Sequence, residues 1–158
     1  MNGRGSTLAY MILVGTLLAL HFLFRPALVS WPMGPDLLTG AVLLGGLRLR
    51  AGAAAGLGFG AGLLDGAMAL TGIGRGALVY AVLGYVTSRW RELFFSDVPL
   101  FVFAYLFFGC WVAKLVLSLL ADFSLGWEFA LLEAPTASAV TAVLCGGADR
   151  LLARGAPG

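Results

Sequence analysis

Ionisable side chains inside long apolar runs are the residues of this chain with chemistry to offer, because a charge at membrane depth is costly and marks a functional site by default. Three stand out: Asp65, Lys114 and Glu133, each flanked by apolar sequence. A lysine and two carboxylates suit either an ion pair that locks helices together or a polar cleft that holds a small ligand. Counted from the ends of their runs, all three fall in the outer leaflet of the topology derived below, with Asp36 near the rim of such a cleft. Asp65 lies three residues beyond Gly62 and seven beyond Gly58, on a face of small residues, so it is expected to point into a bundle rather than into lipid. Lys114 shares a stripe with Cys110 and Ser118, and it also has the length to snorkel alone toward headgroups. Both readings of the cluster, a structural ion pair and a ligand cleft, stand at this point.

Other chemistry is sparse. The single histidine, His21, cannot form an H-E-x-x-H zinc site, and no serine lies in a G-x-S-x-G elbow. Gly72-Ile73-Gly74-Arg75-Gly76-Ala77 fits G-x-G-x-x-A in form, but it follows an apolar helical run rather than a strand, and no nucleotide site is expected there. Cys110 and Cys145 lie in apolar runs and are read as small buried hydrophobes, without a disulfide or metal role. His21 is read as a polar interfacial residue. The expectation is a protein without enzymatic activity, cofactor or metal.

The elements that must position these residues follow from composition. Of 158 residues, 60% are hydrophobic and 11% charged, with 23 glycines, and mean hydropathy is +0.95. That content excludes disorder and a wet globular surface, and a net charge of +2 from scattered arginines excludes a nucleic-acid footprint. Apolar runs cover 8–24, 35–49, 51–71, 75–89, 99–121 and 128–152, which predicts one integral-membrane domain over 1–158, an all-α compact bundle of six transmembrane helices. The first run is followed by Arg25 and Pro26 rather than by a small-residue cleavage site, so it reads as a spanning helix and not as a secretory signal. Gly34-Pro35-Asp36 suits the start of the second helix, whose apolar part is so short that it must use its flanks, thin the bilayer or hide behind other helices.

Glycines organise the third run in two series, Gly52, Gly56, Gly60 and Gly58, Gly62, Gly66, on roughly opposite faces. Glycine at that spacing lets helices approach closely in lipid, which predicts a central third helix with intramolecular neighbours on both sides. A glycine-rich turn is expected over 71–76, and Pro135 either kinks the last helix or starts it, leaving 127–133 as an interfacial piece.

With six spans and the N-terminus inside, Arg4, Arg48, Arg50, Arg89, Arg91, Arg150 and Arg154 are cytoplasmic, whereas only Arg25 and Arg75 are outside. That asymmetry follows the positive-inside rule and is lost if the second and fourth runs do not span. Both termini are therefore expected in the cytoplasm. The pairs Arg48 with Arg50 and Arg89 with Arg91 are read as topology anchors, with a partner-binding surface as the second reading, and Trp90, Phe94 and Phe95 suit an interfacial belt.

Residues 34–95 carry a resemblance. Gly34-Pro35-Asp36-Leu37-Leu38, then Gly58-Phe59-Gly60-Ala61-Gly62-Leu63-Leu64-Asp65-Gly66, then Gly72-Ile73-Gly74 and Ala77-Leu78-Val79-Tyr80-Ala81-Val82-Leu83-Gly84-Tyr85-Val86 together resemble the rod shape-determining protein MreD family. Gly58, Gly62, Asp65, Gly74 and Tyr85 take the matching positions, while the first helix, Lys114, Glu133 and Pro135 carry no family signature. The resemblance implies a non-enzymatic membrane scaffold of the bacterial cell-elongation complex in the inner membrane. Such a protein works with the bitopic MreC and the MreB filament to position the lateral peptidoglycan synthases. It also implies a fold like that of the substrate-binding subunits of energy-coupling-factor vitamin transporters, so a subunit of such a transporter is the alternative function.

Overall fold

The residues that the computed structural model describes are 3–29, 34–69, 73–94, 99–121 and 133–155, and apart from the short connections at 34–36 and 49–50 and the turn residue 133 they form helices. In chain order these are α1 (Gly3–Val29), α2 (Leu37–Arg48), α3 (Ala51–Ala69), α4 (Ile73–Phe94), α5 (Pro99–Ala121) and α6 (Ala134–Gly155). No strand occurs among the described residues. Among the described residues two stretches, Leu8–Pro26 of α1 and Phe101–Leu120 of α5, are long and apolar enough to cross a membrane. The six runs expected to span thus divide: α2 is short, α3 is rich in glycine and carries Asp65, and α4 and α6 carry arginines.

The shortest of the described helices is the centre. α2 has no polar face, and a helix apolar all round has to be enclosed. Every residue from Leu38 to Gly46 is buried, and all five of the other described helices pack against α2. Of the three accommodations open to so short a helix, hiding behind its neighbours is the one found. Leu43 and Leu44 join Tyr10, Val14, Leu17, Leu106, Cys110 and Cys145 in one part of the core, and Leu38 and Val42 join Ala61 and Tyr80 in another.

α3, expected to be central with neighbours on both sides, is instead one arm of a hairpin with α4, its dominant contact. Gly58 faces the Tyr80 carbonyl, Gly62 lies where a Cβ would come within 2.7 Å of the Gly76 carbonyl oxygen and Ala77 Cα, and Gly84 of α4 faces the Ala54 carbonyl. Gly66 is buried in the same series. The other ridge corrects the expectation: Gly52, Gly56 and Gly60 have nothing within 4 Å of an added Cβ. Spacing alone offers two equal ridges, and only the presence of a neighbour decides which is used.

Helix ends shift too. α1 runs through Arg25 and Pro26 to Val29, and α4 begins at Ile73, so residues 73–76 of the expected turn are helical. The packing of Gly62 on Gly76 and Ala77 extends α4 through glycines that favour a turn on their own. α6 begins at Ala134, so Pro135 lies in its first turn, where its missing N–H costs nothing, and starts the helix rather than kinking it. Residues 71, 72, 95 and 127–132 of the expected turn, belt and interfacial piece lie outside the described residues, as do the side chains of Arg91 and Phe94.

Candidate functional site

Asp65 is a member of a charged group, with partners from α1. Arg25 Nε donates to Asp65 Oδ1 at 3.0 Å, and Arg25 Nη2 donates to the Asp65 carbonyl oxygen at 3.2 Å. His21 Nε2 lies 3.5 Å from the same Oδ1, a contact that becomes ionic when the ring is protonated. The side chains are 13% (His21), 18% (Arg25) and 30% (Asp65) exposed, enough shelter to make the charges depend on one another. Residues four apart on a helix share a face, which is why α1 presents His21 and Arg25 together. The His21 ring packs edge-on against Phe22, and neither of its buried nitrogens has a hydrogen-bond partner among the described residues.

Asp36 belongs to a second group, built around the N-terminus of α2. A helix start leaves N–H groups without intrahelical acceptors, and a preceding carboxylate supplies one. Asp36 Oδ1 accepts from Thr39 N at 3.1 Å, and Oδ2 accepts from Thr39 Oγ1 at 2.6 Å. The Asp36 N–H donates to Thr141 Oγ1 of α6 at 2.8 Å, and that hydroxyl donates to the Ala137 carbonyl at 2.8 Å. Tyr80 of α4 brings its hydroxyl to 3.4 Å from Thr39 Oγ1. Thr39, Tyr80 and Thr141 are buried, as are the free thiols of Cys110 and Cys145, as expected for them. The group joins α2, α4 and α6 through hydrogen bonds that its own members satisfy.

The expected cluster of Asp65, Lys114, Glu133 and Asp36 is therefore not assembled. Asp65 pairs with Arg25, and Asp36 caps α2. Lys114 is partly exposed on α5 and has no ion pair among the described residues. Glu133 is exposed just before α6, where its carbonyl accepts from Thr136 Oγ1 at 2.7 Å. The physical reason is neighbourhood: α3 packs mainly on α4, whereas α5 packs mainly on α6. Sequence reasoning missed Arg25 as the partner of Asp65. The available signal was the i, i+4 spacing of His21 and Arg25 at the end of an otherwise apolar run.

Cross-helix contacts also sort the arginines. Tyr10 OH donates to the Leu44 carbonyl at 3.1 Å, and the Arg48 guanidinium lies 5.0 Å from the Tyr10 ring centroid. Ser88 Oγ donates to the Leu49 carbonyl at 2.7 Å, and Arg150 lies 4.6 Å from the Phe103 ring centroid. These contacts bring Arg48, Arg50, Arg89 and Arg150 to one end of the bundle. At the other end Arg25 holds Asp65, and Arg75 Nη1 donates to the Leu120 carbonyl at 2.7 Å, capping the C-terminal turn of α5.

Chemically, the two polar groups tie helices together. Among the described residues no three His, Cys, Asp or Glu side chains gather where they could hold a metal ion. Comparison of the chain with family models, with curated proteins and with solved structures found no match.

Proposed function

We propose that this chain is a non-enzymatic membrane scaffold of the bacterial cell-elongation complex, as its resemblance to the MreD family implies. Its six helices cross the inner membrane with both termini in the cytoplasm, and its lipid-level surface grips an MreC-like bitopic protein. Through that partner it links the MreB cytoskeleton to lateral peptidoglycan synthesis. The observation that carries the membrane reading is the distribution of exposed apolar side chains. Leu8, Ile12 and Leu23 of α1, Phe59 and Leu64 of α3, Leu78 and Val82 of α4, Phe108 of α5 and Val143 of α6 all face outward, and of the described helices only enclosed α2 lacks such residues. A soluble monomer rarely exposes large apolar side chains on every outer helix. Alternation of the helices, with Arg48, Arg50, Arg89 and Arg150 at one end and Arg25 and Arg75 at the other, supports the same topology.

The internal polar groups favour the scaffold over the transporter subunit. A ligand held by Asp65, Lys114 and Glu133 requires these side chains to converge, and the Asp65 carboxylate is engaged by Arg25 instead. The test is co-purification. Tagged chain extracted in mild detergent should retain MreC, and its deletion should abolish rod shape. A chain that never retains MreC and whose loss leaves rods intact overturns the scaffold. Thermal stabilisation by one vitamin from a panel, lost in Lys114→Ala, establishes the transporter reading in its place.

A further inference from the structure

We infer that the end of the bundle formed by Arg48, Arg50, Arg89 and Arg150 is a seat for the headgroups of anionic phospholipids, an inference that rests on the membrane reading and names the lipid it requires. All four arginines are exposed, and they come from α2, the α2–α3 corner, α4 and α6. The Arg48–Tyr10 and Arg150–Phe103 contacts and the Ser88–Leu49 hydrogen bond hold their backbones at one level. Asp149 of α6 stands with them, facing Arg48 and Tyr10, and Glu92 lies in the last turn of α4 at the same end. The opposite end differs: there Arg25 and Arg75 are accompanied by Asp36, Asp65 and Glu133. The small net charge of +2 thus conceals a strongly one-sided distribution.

Arginine suits phosphate because its planar fork donates two parallel hydrogen bonds, and it is more weakly hydrated than an ammonium. A bare anion needs nothing more. Here the charged end also exposes large apolar side chains at the same level, Leu8 of α1, Trp90 of α4 and Leu151 of α6. Cationic and apolar surface side by side match a molecule with a phosphate at one end and acyl chains running away from it. An indole at this level is the usual anchor at a headgroup boundary. A cation beside an anionic leaflet gains about 1 kcal/mol, which corresponds to about fivefold in lipid preference per arginine.

The experiment uses the full chain reconstituted in phosphatidylcholine vesicles with and without phosphatidylglycerol, then extracted in mild detergent and weighed intact with its bound lipid. Phosphatidylglycerol should be retained over phosphatidylcholine. Arg50→Gln and Arg89→Gln should each cut that preference about fivefold and the double variant by their product, whereas Arg75→Gln at the opposite end should leave it unchanged. Melting in pure phosphatidylcholine is measured beside each variant, and Arg50→Gln should lose the lipid preference with its melting unchanged, which separates lost binding from lost folding. Equal retention of the two lipids, or an equal loss in Arg75→Gln, overturns the seat. Inorganic phosphate that protects the protein in phosphatidylcholine as well as phosphatidylglycerol does also overturns it, in favour of a bare anion site. A chain that resists alkaline extraction from vesicles but shows no lipid preference loses only this inference. One that washes off loses the membrane reading as well.

Discussion

α2 and α3 are made from the same few residues, mostly leucine, alanine and glycine, and they end up in opposite situations. α2 is enclosed on all sides by five helices, so each of its glycines meets a neighbour: Gly40 the Cys145 thiol and Thr141, Gly45 the Leu57 side chain, Gly46 the Thr87 side chain. α3 is closed on one face only, where Gly58 and Gly62 let α4 approach backbone to backbone, while Gly52, Gly56 and Gly60 face open space. Glycine in an apolar helix is thus permission for contact, and the contact is made only where the topology supplies another helix. Each helix also has one carboxylate, on α2 at the N-cap position just before its first turn and on α3 within the helix. Asp36 acts locally as the cap of α2, and Asp65 acts across to α1 as half of an ion pair.

Filling the closed face of α3 is the strongest way to break this contrast. In Gly58→Ala the new methyl meets the Tyr80 carbonyl, which cannot rotate away as a side chain would. Overpacking of this kind costs about 3 kcal/mol, and a large drop in melting temperature in detergent is expected. Unchanged melting would mean that the α3–α4 hairpin is not packed as described.

Asp65→Leu comes next. It leaves Arg25 sheltered beside His21 without its anion, for a loss of roughly 2 kcal/mol, less than for a fully buried pair because Asp65 is partly exposed. Exchanging the charges with Arg25→Asp and Asp65→Arg should recover part of the loss. No recovery would assign the effect to packing rather than to the pair. Asp36→Ala removes a local cap and should cost about 1 kcal/mol, with melting as the readout. A loss as large as that of Asp65→Leu would show that the Thr141 and Tyr80 contacts contribute as much as the cap itself.

What was legible from sequence follows the same division between local and distant causes. The bounds of α5, the Asp36 start of α2 and the burial of Cys110 and Cys145 follow from neighbours in the chain, and they are found as expected. Asp65 was legible as a residue that needs a partner, but the partner was not, because Arg25 is 40 positions away and competes on paper with Lys114 and Glu133. The start of α4 was misread for a related reason. Glycines at 72, 74 and 76 favour a turn in isolation, and it is the approach of Gly62 from another helix that makes Gly76 helical.

The smallest expected effect sharpens the contrast most, because its sign is opposite. Glycine inside a helix is less favourable than alanine by about 1 kcal/mol, and it is retained without penalty only where a methyl has no room. Gly56 and Gly60 have room in the isolated chain, so Gly56→Ala and Gly60→Ala should leave melting unchanged or raise it slightly. The same substitutions separate the chain's own packing from any contact outside it. If either lowers melting of the purified protein, the open ridge of α3 is covered in solution by a second copy. If both are neutral in isolation but weaken retention of a bitopic partner, that ridge is the surface on which the partner helix lies, and the two faces of α3 then do the same job for different neighbours.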